Sequence, residues 1–112
     1  MSGDIVFFDL PGKDAEATAK FWQSLFGWEF KQGNFPGYSM IHGPNPMGGS
    51  AHGDTATSPR VYFSVDDLHA AIERVRELGG TAEEPVTIPA GAFANCVDDQ
   101  GVEFSIFQTG GA

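Results

Sequence analysis

The chain has 112 residues, 41% of them hydrophobic and 10 of them Phe, which points to one globular domain and away from a disordered tract. Six basic against 15 acidic residues give a net charge of −9, which argues against a nucleic-acid backbone or an anionic membrane as partner and favours a neutral or cationic ligand. The single Cys96 excludes an intrachain disulfide, Asp4 sits where a signal peptide would be basic, and Ile5–Phe8 is too short to span a bilayer, so the expected location is a reducing cytoplasm.

Asp4–Leu10 reads as a first strand, with Val6, Phe8 and Leu10 on one face and Ile5, Phe7 and Asp9 on the other. Pro11-Gly12 turns the chain, and Asp14 caps a helix that runs to about Phe26 and stops at Gly27. Phe21, Trp22, Leu25 and Phe26 are expected to fill its buried side. Trp28–Lys31 and Tyr38–His42 are the next strands, separated by the turn residues Gly33, Asn34, Pro36 and Gly37. Met47–His52 is a glycine-rich fourth strand, and Gly53–Pro59 a polar linker.

Arg60–Val65 alternates as a strand. Asp66 or Asp67 caps a second helix with the apolar stripe Leu68, Ala71, Ile72, Val75 and Leu78, and Gly79-Gly80 stops it. Thr81–Ile88 is a strand broken by Pro85, which suggests a sheet edge. Phe93–Val97 and Val102–Gln108 follow as strands, joined by a turn at Asp98–Gly101.

The two halves repeat one design, because 67 − 14 and 80 − 27 both give a shift of 53 residues between helix caps and helix stops. Each half is strand–helix–strand–strand–strand, so residues of about 4–53 form one module and about 60–108 a second, within a single domain of 1–112. In each half the helix must cover one sheet face. The more apolar face (Val6, Phe8 and Leu10; Val61, Phe63 and Val65; Val102, Phe104 and Ile106) should take that side. The opposite face then carries Asp9, Arg60, Tyr62, Ser64, Glu103 and Ser105, a mixture that suits a ligand cleft.

The segments FWQSLFGWEF, YFSVDDLHAAIERVRELGG and ANCVDDQGVEFSIFQ resemble the glyoxalase/bleomycin-resistance/extradiol-dioxygenase superfamily, the vicinal oxygen chelate proteins. The resemblance covers nearly the whole chain. It implies an α+β fold in which two βαβββ modules make a cup-shaped, incompletely closed barrel, and it implies a homodimer. Metal-dependent members carry His, Glu or Gln on the first and last strand of each half. Carried onto this chain, those positions are Phe7, Arg60, Ser105 and His52, the last two taken as four residues after Gly101 and Gly48. Of these only His52 is a good metal ligand: Phe has no donor atom, Arg repels the ion and a neutral Ser binds weakly. No metal and no other cofactor are therefore expected.

The reading this supports is metal-independent binding of a small organic molecule, cationic or neutral, by Phe7, Asp9, His52, Arg60, Tyr62, Glu103, Ser105 and Phe107. Arg60 would take the place of the missing cation and orient a ligand oxygen, held by Asp9 or Glu103 in the free protein. The alternative is an enzyme, a lyase or isomerase with a divergent metal site around His52 or with metal-free acid/base chemistry between His52 and Glu103 or Asp9. His42 and His69 read as structural or solvated, and Cys96 as a small buried residue.

Overall fold

The computed structural model describes residues 3–33 and 36–110, so Asn34 of the expected turn lies outside the described residues. In chain order the elements are β1 (Ile5–Asp9), α1 (Ala15–Phe26), β2 (Glu29–Gln32), β3 (Tyr38–His42), β4 (Gly48–Ala51), β5 (Arg60–Ser64), α2 (Leu68–Glu77), β6 (Thr81–Ala82), β7 (Val86–Ile88), β8 (Gly91–Val97) and β9 (Glu103–Thr109).

Both helices start on the same device. Asp14 Oδ1 accepts from the Ala17 N–H and Asp67 Oδ1 from the Ala70 N–H, each at 3.1 Å, so both caps satisfy a donor that has no partner inside the helix. The stops differ slightly. Gly27 takes the left-handed conformation at φ 77° and donates to the Gln23 carbonyl. At the end of α2 it is Gly79 that is left-handed, at φ 95°, while the Gly80 N–H reaches back to the Val75 carbonyl at 3.0 Å.

The chain divides into two compact units, one of Phe7–Arg60 and the other of Val61–Ala112 with the residues before Phe7. In the first, the strands run β2-β3-β4-β1, with antiparallel pairs except for the parallel pair β1–β4. In the second, β5 pairs parallel with β9, β9 antiparallel with β8, and both β6 and β7 lie along the other side of β8. The interruption at Pro85 thus splits one expected strand into two short ones, because proline offers no N–H to the ladder.

The second unit has a conventional core. Leu68 and Ile72 of α2 pack on Ala94, Cys96 and Ile106, with Val65, Val75 and Phe104 around them. Cys96 is buried and its thiol points to the Ala94 carbonyl at 3.6 Å. In the first unit, Leu10 and Ile41 are buried, and an aromatic group forms between sheet and helix. Trp22 stacks on Trp28 at 5.6 Å, and Phe8 meets Trp28 at 6.0 Å.

Helix α1 departs from expectation. No residue of it is buried, and Phe21, Leu25 and Phe26 are 61%, 56% and 57% exposed. Its inward side is the partly covered set Ala15, Thr18, Ala19 and Trp22. Of the four residues expected to fill the buried side, Trp22 alone is partly covered, and Phe26 meets Trp28 at 4.8 Å with most of its own surface still exposed. The helix rests largely on small residues, which leaves Phe21 and Leu25 on its outer side.

Candidate functional site

Side chains alternate along a strand, and residues paired across strands share a face. In the second unit, Tyr62 pairs with Ser105 and Ser64 with Phe107, while Ser105 pairs with Asn95 and Phe107 with Phe93. These residues form one face, opposite the side on which α2 packs. Arg60 stands two residues before Tyr62 on the same side of β5, half-buried, and Glu103 pairs with Val97 at the exposed end of this face. The expected site residues Tyr62, Glu103, Ser105 and Phe107 are therefore brought together, and Arg60 shares their side of its strand.

Ser105 is fully buried, and its hydroxyl donates to Asn95 Oδ1 at 2.7 Å. The Tyr62 and Phe93 rings meet edge to face, 5.8 Å apart at 73°. This face is a half-buried aromatic surface with a side-chain amide set into it.

In the first unit, Asp9 pairs with Gly49, Gly49 with Met40, and Ala51 with Tyr38, so the face holding Phe7 and Asp9 also holds Tyr38 and Met40. Tyr38 donates its hydroxyl to Asp9 Oδ1 at 2.7 Å. A Cβ on Gly49 would run into the Tyr38 hydroxyl and ring, so the tyrosine reaches Asp9 only because this residue is glycine.

His52 does not join Asp9. It lies one position beyond β4, exposed, and its Nε2 is hydrogen-bonded to Ser39 Oγ at 2.7 Å. Ser39 pairs with Ser50, which places it on the face opposite Tyr38 and Asp9. The assumed equivalence of His52 with Ser105 fails for a physical reason. Gly101 is a turn glycine at φ 91°, whereas Gly48 is inside a strand, where a Cβ would strike the Phe8 ring. The registers make this explicit: Asp9 opposes Gly49, an offset of 49 − 9 = 40, and Tyr62 opposes Ser105, an offset of 105 − 62 = 43. With Asp9 set against Tyr62, the counterpart of Ser105 is Gly49. The odd difference of three moves His52 to the other face.

The remaining candidates stay apart. His42 is exposed at the end of β3 and His69 on the outer side of α2. Asp98 is a turn residue: its Oδ1 accepts from the N–H groups of Val102 at 2.9 Å and Gln100 at 2.8 Å, and these bonds hold its pKa below the ordinary 3.8. Among the described residues, no three His, Cys, Asp or Glu side chains gather in a way that could hold a metal ion. None of the described helices is long and apolar enough to cross a membrane. An open hollow of about 520 Å³ lies on the outer side of α1, lined by Ala17, Lys20, Phe21, Ser24 and Leu25. Its only polar lining residues among those described are Lys20 and Ser24, one turn apart on the same helix, and it is not the candidate site.

Sequence reasoning missed Tyr38, Gly49, Phe93 and Asn95. Phe93 and Asn95 were legible in principle, since the alternation of β8 puts both opposite Ala94 and Cys96. Tyr38 was not, because its partner lies two strands away.

The family model described as a glyoxalase-like domain matches residues 5–107. The protein CFP32 of Mycobacterium tuberculosis is 27% identical over 113 residues, which cover 89% of this chain and 43% of that protein. A glyoxylase-like domain-containing protein of Didymella fabae is 32% identical over 93 residues, 71% of each. The chain therefore spans less than half the length of CFP32. Among solved structures, Streptomyces coelicolor methylmalonyl-CoA epimerase bound to 2-nitronate-propionyl-CoA aligns over 100% of this chain and 98% of that one, with TM-score 0.68 and 13% identity. At that identity the likeness is one of fold, and it is the α+β fold of paired βαβββ modules.

Proposed function

The chain belongs to the glyoxalase-like domain family of the vicinal oxygen chelate superfamily, and from that premise we propose that it binds a small organic molecule without a metal ion. The binding surface is the sheet face that the helix leaves open, with Tyr62, Phe93, Ser105 and Phe107 in the second module. Phe7, Asp9 and Tyr38 hold the corresponding face of the first. Arg60 and Glu103 supply the charges on this side of β5 and β9. His52 is left out, because it shares a face with Ser39.

One observation carries the metal-free reading: the groups at the positions of metal ligands are committed elsewhere or absent. Phe7 has no donor, and Arg60 is cationic. The Ser105 hydroxyl is given to Asn95, and the register counterpart of Ser105 is Gly49, with no side chain at all. The Asp9 carboxylate, on the face of Phe7, is held by the Tyr38 hydroxyl, a charge-assisted bond that contributes about 1.5–3 kcal/mol. This donor set does not fit a divalent ion. The excess of acidic residues favours a neutral or cationic ligand.

The reading is tested on chelator-treated protein by amide NMR with a library of neutral and cationic aromatic fragments. Shifts gathered on Tyr62, Phe93, Ser105 and Phe107 support it. Shifts confined to the α1 hollow, around Phe21 and Leu25, contradict it.

A further inference from the structure

Resting on that reading, we propose that the side-chain amide of Asn95 is the ligand's anchor, and that it selects a neutral, planar bicyclic molecule with a carbonyl oxygen on one ring.

Ser105 fixes the amide. A serine with no exposed surface needs a partner for its hydroxyl, and it has Asn95 Oδ1 at 2.7 Å. Once Oδ1 is taken by that bond, the orientation of the amide is fixed. Its two N–H bonds then project away from the serine, and Asn95 is only half-buried. Asparagine is a poor strand former, so a mid-strand position for it calls for a reason beyond propensity. A fixed donor on an open sheet face is such a reason.

The surroundings define what the donor would meet. Phe93 stands two residues before Asn95 on the same side of β8, beside Phe107 on β9, and edge to face with Tyr62. Alternate residues of a strand are about 7 Å apart, the length of two fused six-membered rings. A ring lying on Phe93 and Phe107 therefore brings a substituent of its fused neighbour to the amide of Asn95. That substituent must be an acceptor, because the free end of the amide only donates. The 15 acidic residues against six basic ones disfavour an anion, and the outward N–H groups of the amide present their positive ends to the ligand and disfavour a cation, which leaves the neutral class.

The test uses wild-type protein, an Asn95→Asp variant and three probes: coumarin, a neutral bicycle with a carbonyl; naphthalene, which has the rings alone; and 2-naphthoate, which carries a negative charge. Asn95→Asp keeps an oxygen to accept from Ser105 and turns the outward donor into an acceptor. Coumarin should move the Asn95 side-chain N–H resonances together with those of Phe93 and Phe107. It should bind about tenfold tighter than naphthalene, the value of one well-placed hydrogen bond. In Asn95→Asp the advantage of coumarin over naphthalene, both measured on that variant, should be lost. If coumarin and naphthalene bind this face equally in wild type, the anchor is refuted while the binding face stands. Tighter binding of 2-naphthoate refutes the neutral class. If no probe perturbs the face, both the inference and the reading it rests on fall. Should the variant fail to fold, the wild-type side-chain resonances decide alone.

Discussion

Tyr38 donates its hydroxyl to Asp9 across the bare backbone of Gly49, linking β3 to β1 over the strand between them. A strand residue that would otherwise present a side chain to this face is replaced by a bond between its two neighbours. The carboxylate is thereby tied to a phenol.

The first prediction follows directly. Gly49→Ala places a methyl against the Tyr38 hydroxyl and ring, so the ring must swing off and release Asp9. Loss of that bond should cost about 1–3 kcal/mol, read from denaturant unfolding. In a Tyr38→Phe background the same alanine should cost markedly less. Equal costs in both backgrounds would mean that Gly49 is not there to admit the tyrosine.

The second concerns α1. Phe21→Ser should change stability by no more than about 0.5 kcal/mol, because a ring that is 61% exposed in the folded chain loses little on removal. Ile72→Ala, in the α2 core at 4% exposure, should cost about 2–5 kcal/mol. A large loss for Phe21→Ser in thermal unfolding would show that the outer side of α1 is covered in solution.

The third concerns acid. Backbone N–H groups of Val102 and Gln100 depress the pKa of Asp98, so its ionised form is favoured by folding. The stability it contributes is fully present above its unfolded pKa, near 3.8, and is lost as pH falls through the lower folded value. Asp98→Asn keeps an acceptor in the turn but cannot ionise. The melting temperatures of wild type and variant should therefore differ by a constant amount above about pH 5 and converge below pH 4. A difference that does not shrink in acid would contradict this account of the turn.

Much of the fold could be read from local chemistry. Asp14 and Asp67 are caps at equal spacing from glycine stops, and a cap bond depends only on the next three residues. The second module's open face was also legible, because Tyr62, Ser105 and Phe107 alternate with apolar residues that α2 must cover. The glycine-rich β4 was a different matter. Without side chains it has no alternation, so its register is set by Phe8 and Tyr38 lying over Gly48 and Gly49, both anchored outside the strand. An error there exchanges the two faces, and that is how His52 came to be set beside Asp9. The caps at 14 and 67 differ by 53, yet β1 and β5 begin at residues 5 and 60, a difference of 55. The two shifts differ by 55 − 53 = 2, and an even slip leaves the faces unchanged. The exposed rings of α1 were misread because an apolar stripe says that something covers it, not what.

The most direct test of metal-free binding is titration of chelator-stripped protein with zinc, nickel, manganese and iron(II), followed by calorimetry and elemental analysis. The account predicts no stoichiometric binding of any of the four. One equivalent of metal held at about micromolar affinity, some 8 kcal/mol, and lost on Ser105→Ala or His52→Ala would contradict it.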